Sequence, residues 1–63
     1  MALYRCYFRG VTGRFESRQD FAAASDDEAI ATARRLYADK GLTAGFELWN
    51  GVHLVFAEPA AGK

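Results

Sequence analysis

One segment constrains everything else this chain can do: residues 25–41, SDDEAIATARRLYADKG, the only stretch marked at both ends as a helix. Ser25 with Glu28 three positions later is an S-x-x-E capping box. The spacing predicts that the Ser25 hydroxyl accepts from the Glu28 backbone N–H while the Glu28 carboxylate accepts from the Ser25 N–H. Asp26, Asp27 and Glu28 place negative charge in the first turn, where the helix dipole favours it. At the far end Lys40 precedes Gly41, the residue best suited to a left-handed C′ position, and Leu42 follows where it can fold back onto Tyr37. Spaced at 100°, Ala29, Ile30, Ala33, Leu36 and Tyr37 share one side. Asp27, Glu28, Thr32, Arg34, Arg35 and Asp39 take the other. Two alanines at the centre of the apolar stripe let the helix lie close on a sheet. The acidic first turn reads as a solvated helix start rather than a metal site.

The sheet has to come from the flanking segments. Residues 3–9 alternate, with Tyr4, Cys6 and Phe8 on one face and Leu3, Arg5, Tyr7 and Arg9 on the other. Residues 10–13, GVTG, read as a turn. Residues 14–21 alternate again, setting Phe15, Ser17, Gln19 and Phe21 against Glu16, Arg18 and Asp20. A four-residue loop pairs Phe8 with Phe15, Cys6 with Ser17 and Tyr4 with Gln19, which keeps the aromatic ends on one face. Ser17 and Gln19 are imperfect core residues, which leaves room for a bulge in the second strand. After the helix, residues 46–48 and 52–57 form a second hairpin around Trp49-Asn50-Gly51. A two-residue type I′ turn over Asn50-Gly51 would face Phe46 and Leu48 with His53 and Val55. The favoured alternative is a three-residue loop, which puts Phe46, Leu48, Val52, Leu54 and Phe56 on one face and Glu47, His53, Val55 and Ala57 on the other.

The expected fold is therefore α+β: a ββαββ chain forming a four-stranded antiparallel sheet with one helix on one face. Residues 1–58 make a single domain, and residues 59–63, which lack apolar periodicity, a tail expected to fray. Strand orders 2-1-3-4 and 1-2-4-3 both give an antiparallel sheet, and the sequence does not choose between them. A chain of 63 residues buries a modest share of its surface. With half its residues hydrophobic it supports a core without disulfides or metal, and association through a strand edge would add burial.

No group of residues names a reaction. Cys6 and His53 are the only thiol and imidazole, and the expected registers put the sheet between them, so no base meets a nucleophile. One Cys and one His do not make a four-ligand zinc site. Gly10-x-x-Gly13 is a hairpin turn, not a phosphate loop. The expectation is no catalytic residue, no metal and no cofactor. Formal net charge is zero, which gives no global case for nucleic acid or an anionic membrane. A lone cysteine fits a reducing compartment, MALYRCYF is not patterned as a signal peptide, and no segment has the length of a membrane span. A soluble cytoplasmic protein is expected.

The candidate site is the uncovered face of the sheet, carrying Arg5, Tyr7, Arg9, Arg14, Arg18 and His53, with Trp49 at its rim. In the expected register Arg5 opposes Arg18 and Arg9 opposes Arg14, unfavourable pairs that an anion or a partner carboxylate would relieve. Protein contact through this face or an edge, with a second copy or another protein, is the first reading. Stacking and backbone neutralisation of RNA or single-stranded DNA is the second. Glu16, Asp20 and Glu47 lie on the same face and can pair diagonally with those arginines, as on an ordinary solvated sheet.

At YRCYF, SRQDF, DDEAIATARRL and GFELWNG the chain resembles a family of short proteobacterial proteins of unknown function. The resemblance spans Tyr4 to Pro59 and implies the ββαββ layout. More weakly, a hairpin followed by a D-x-E-A helix resembles the partial double-stranded-RNA-binding-like domain of HicB-type antitoxins, which implies a small protein partner. The Gly-rich strand ending and the C-terminal DNA-binding segment of those antitoxins have no counterpart in these residues.

Overall fold

The computed structural model describes residues 1–60. Five elements follow in chain order: β1 (Ala2–Arg9), β2 (Phe15–Ala23), α1 (Asp26–Lys40), β3 (Phe46–Asn50) and β4 (His53–Glu58). The strands form one antiparallel sheet in the order β2-β1-β3-β4, with the single helix packed on one face. Pro59 and Ala60 of the expected tail have no regular structure, and residues 61–63 lie outside the described residues.

The helix is capped much as its sequence dictates. Ser25 is extended, and its Oγ accepts from the Glu28 N–H at 3.2 Å. The Glu28 carboxylate reaches one residue further back than expected: Oε1 accepts from the Ala24 N–H at 2.6 Å, not from Ser25. Gly41 is left-handed (φ 70°) and donates to the Ala38 carbonyl. Ala29 and Ala33 are completely buried, with Ile30, Leu36 and Tyr37 packed around them and Leu42 also against the core.

Strand order follows from which strands have most to bury. β1 supplies Tyr4, Cys6 and Phe8, β3 supplies Phe46 and Leu48 and β2 only Ala23; with the two helix alanines these are the buried core. In the order β2-β1-β3-β4 both rich strands are central and lie beneath the helix. β2, whose helix-side residues include Ser17 and Gln19, goes to an edge, and both of those side chains are exposed. Phe46 is the hub, with ring centroids 6.0 Å from Phe8, 5.2 Å from Tyr37 and 5.9 Å from Phe56.

Both hairpins depart from the expected registers. β1 and β2 pair Tyr4 with Phe21, Cys6 with Gln19 and Phe8 with Ser17, two residues along from the expectation. The offset is absorbed between Phe8 and Arg9, where β2 carries Glu16 as an extra residue and Arg9 opposes Phe15. A bulge reverses side-chain parity, so Phe15 leaves the helix side for the open face. In the second hairpin the turn is the two residues Gly51-Val52, one position beyond Asn50-Gly51 and not the favoured three-residue loop, with Asn50 opposite His53. Gly51 has φ 61° and Val52 does not have positive φ, the pattern of a type II′ turn. A second bulge, at Val55, restores Leu48 opposite Phe56. Val52 therefore sits exposed in the turn, and Leu54 lies on the open face beside Trp49 rather than under the helix.

Gly45 ties these parts together. Its N–H donates to the Tyr37 hydroxyl at 3.0 Å and its carbonyl accepts from the Arg9 N–H at 3.0 Å, joining the helix and β1 to the start of β3. Its φ is 97°, and an added methyl would run into the Glu58 carbonyl oxygen. Gly45→Ala is expected to lose about 2 kcal/mol or more of unfolding free energy, combining backbone strain with collision. Gly13→Ala, left-handed but in open space, is expected to lose about 1 kcal/mol. Urea titration of both variants checks the ranking; equal losses would remove the packing role of Gly45.

Candidate functional site

The open face is built by the residues of β1 and β3 that alternate with the core. Leu3, Arg5, Tyr7 and Arg9 of β1 point away from the helix, as expected. Glu47 and Trp49 of β3 lie beside them, Trp49 directly opposite Arg5 and Glu47 opposite Tyr7. β2 adds Phe15, Arg18 and Asp20, and β4 adds Leu54.

The like-charge pairs expected across β1 and β2 do not form. Because the register is offset by two, Arg5 opposes Asp20 and Arg18 opposes Tyr7. The Asp20 carboxylate is shared: Oδ1 lies 3.4 Å from Arg5 Nε and 3.5 Å from Arg18 Nε. Arg9 donates through Nη2 to Glu47 Oε2 at 3.2 Å and through Nη1 to the Gly13 carbonyl at 2.8 Å, and its guanidinium lies 4.2 Å over the Phe15 ring. Glu47 also accepts from Trp49 Nε1 at 3.1 Å, which holds the indole against the sheet instead of at a rim. Tyr7 packs on Phe15 with centroids 5.5 Å apart. The face thus carries two separate ion-pair groups, Arg5–Asp20–Arg18 and Arg9–Glu47, beside apolar side chains.

Five of the seven candidate residues, Arg5, Tyr7, Arg9, Arg18 and Trp49, come together on this face. Arg14 lies in the first hairpin turn and has no ion pair among the described residues. His53 does not join them. The shifted turn sets it opposite Asn50, on the helix-side parity at the outer end of β4, where it is exposed. The sequence reading missed Phe15 (45 % exposed) and Leu54 (50 % exposed), both brought to the face by the altered hairpins, and gave no weight to Leu3 (63 % exposed). A groove of about 810 Å³ runs across the face, bounded by Leu3, Arg5, Tyr7, Phe15, Glu47 and Trp49 and closed at one end by the Gly51-Val52 turn.

Cys6 is completely buried on β1, while His53 is exposed on β4 with β3 between them. Burial pushes the Cys6 thiol up to about 12, so it is protonated and unreactive near neutrality. Tyr4, almost fully buried, donates to Asp26 Oδ1 at 2.6 Å, and that bond raises its ionisation above the usual tyrosine range. No cluster of His, Cys, Asp and Glu able to hold a metal occurs among the described residues. No helix among them is long and apolar enough to cross a membrane. The chain matches no protein-family model, no curated protein and no solved structure.

Both raised groups are neutral in the folded state and ionise more easily once unfolded. Their contribution to stability is therefore full below the unfolded values, near 9 for a thiol and 10 for a phenol, and is lost as pH rises toward the folded ones. Denaturant midpoints are expected to be insensitive to these two groups through neutral pH and to fall above pH 9. At pH 8 a thiol reagent is expected to leave native Cys6 unmodified and to modify it fully in denaturant; rapid reaction of the native protein would contradict the burial.

Proposed function

We propose that this chain is a non-enzymatic interaction module that receives a protein partner on the open face of its sheet. The observation that carries this reading is the composition of that face: Leu3, Phe15 and Leu54 are exposed beside half-buried Tyr7 and Trp49. Exposed apolar side chains grouped on one surface mark contact sites more often than chance scatter does. Aromatic side chains ringed by charge have the make-up of an interface centre with a polar rim. The arginines favour the same reading, because Arg5, Arg9 and Arg18 are engaged by Asp20 and Glu47. The only thiol is buried and the only imidazole is remote from it, so the two do not form a nucleophile–base pair.

A second reading, binding of RNA or single-stranded DNA, is favoured by one observation. Arg5 and Arg18 share a single carboxylate and Arg14 has no ion pair among the described residues, so these three arginines outnumber the carboxylates that pair with them. On this reading a phosphate takes the surplus, and Tyr7, Phe15 and Trp49 offer stacking surfaces.

Trp49 is the sole tryptophan and lies in the groove, so its fluorescence reports occupancy. Protein contact predicts that a bound partner shifts Trp49 emission, and that Leu3→Ser with Phe15→Ser weakens capture of that partner at least tenfold while the fold is retained. Capture unaffected by these substitutions would remove the face from consideration. Nucleic acid contact predicts oligonucleotide binding that weakens steeply with salt; absence of binding at low ionic strength ends that reading.

A further inference from the structure

The two edges of the sheet are not equivalent. β4 is six residues long, bulged at Val55 and followed by Pro59, which lacks an N–H; short length, bulges and proline are the means by which proteins blunt an edge. β2 is nine residues long and contains no proline, and the charged side chains of its regular run, Arg18 and Asp20, are of opposite sign and so can answer each other across a paired copy. Its bulge at Glu16 lies near its start, leaving Ser17 to Ala23 as an uninterrupted run paired on one side only. On the helix side of this run Ser17 and Gln19 are exposed, so the helix leaves open space above them.

A second β2 fits this edge in one register better than in the others. A two-fold axis perpendicular to the sheet preserves its faces, so opposing residues share parity and the axis passes through a residue. Centred on Arg18, the pairing sets Arg18 against itself and Glu16 against Asp20. Centred on Asp20, it sets that carboxylate against its own copy. Centred on Phe21, it places Asp20 against Ala22 and leaves the charges unanswered. Centred on Ser17, it brings Arg18 to Glu16, but Glu16 is the bulged residue and its carboxylate lies against Gly10, so the ladder breaks at that rung. Centred on Gln19, it places Arg18 opposite Asp20 of the second copy twice over. The two Gln19 amides meet at the axis, and Ser17 faces the half-buried Phe21. Opposite charges directly across a ladder stabilise it and like charges oppose it.

We propose that two copies of this chain join edge to edge through β2, antiparallel about an axis at Gln19, to form one eight-stranded sheet with both helices on the same side. The inference rests on the reading of the chain as an interaction module and gives it a partner, a second copy, at a surface distinct from the open face. The open faces of the two copies become one continuous surface, still available to another protein.

The test is sedimentation from micromolar to millimolar concentration, together with amide hydrogen exchange. The wild-type chain is expected to dimerise, with concentration-dependent protection of the outward amides between Ser17 and Phe21. Arg18→Asp and Asp20→Arg each oppose like charges twice and are each expected to weaken dimerisation by roughly tenfold or more. Mixed together, they place opposite charges at both rungs and are expected to form the heterodimer. Circular dichroism establishes that each variant is folded. If Asp20→Arg fails to fold because Arg5 loses its partner, Arg18→Asp and the wild-type exchange pattern still decide. A monomer at every concentration overturns the inference and leaves the open face as a site for other proteins. A dimer indifferent to both substitutions, with protection at Tyr7 and Trp49 instead of β2, overturns the edge geometry and supports contact through the face.

Discussion

The structure depends on one narrow contact, the seam of Ala29 and Ala33 against the helix-side rows of β1 and β3. Two methyl-sized side chains bring the helix near the sheet, and the larger Ile30, Leu36 and Tyr37 close its flanks. The helix touches β1, β2 and β3, and the two strands with most to bury, β1 and β3, take the centre of the sheet. Its ends are fastened by polar contacts: Tyr4 to Asp26 near the N-terminus, and Tyr37 to the backbone of Gly45 near the C-terminus. A chain this short has little else to bury, so a substitution such as Phe46→Ala, at a cost of about 3–5 kcal/mol, would consume much of a typical stability of about 5–15 kcal/mol.

One helix covers one side of a sheet, and the other side meets solvent with the composition described for the open face. The ion pairs there are exposed and hold the fold only weakly. They can therefore be exchanged for contacts with another molecule at little loss of stability. Glu47 is the better anchored group, since it accepts from both Arg9 and Trp49 and fixes the indole that forms part of the groove. Around it lie the aromatic side chains of Tyr7, Phe15 and Trp49 and the ion pairs of Arg5, Arg9 and Arg18.

The helix was legible in the sequence to within the last detail of its cap, because capping is decided within a few residues of chain. The inward residues of β1 were equally plain, as were Phe46 and Leu48, since strict alternation leaves no second choice. What the pattern could not settle were the two places where alternation breaks. A bulge at Glu16 and another at Val55 each insert one residue, and each reverses the facing of the hairpin tip relative to its base. For that reason alternation alone sets Phe15 and Leu54 on the wrong side and His53 on a face it does not occupy, while the two-residue offset of the first hairpin replaces the expected arginine pairs with Arg5–Asp20 and Arg18–Tyr7. The polar Ser17 and Gln19 were the available sign that β2 was a poorly covered edge. Strand order needed a comparison of whole strands, which local pattern does not supply.

The two bulges have a consequence for how this molecule can change. Each hairpin is divided into a base whose facing is locked by the helix and a tip that follows its own phase. Alterations confined to a tip, including the loss or gain of a residue at the bulge itself, would exchange what is displayed to solvent without disturbing a single core position. Such a molecule can be respecified at its surface while its interior stays constant.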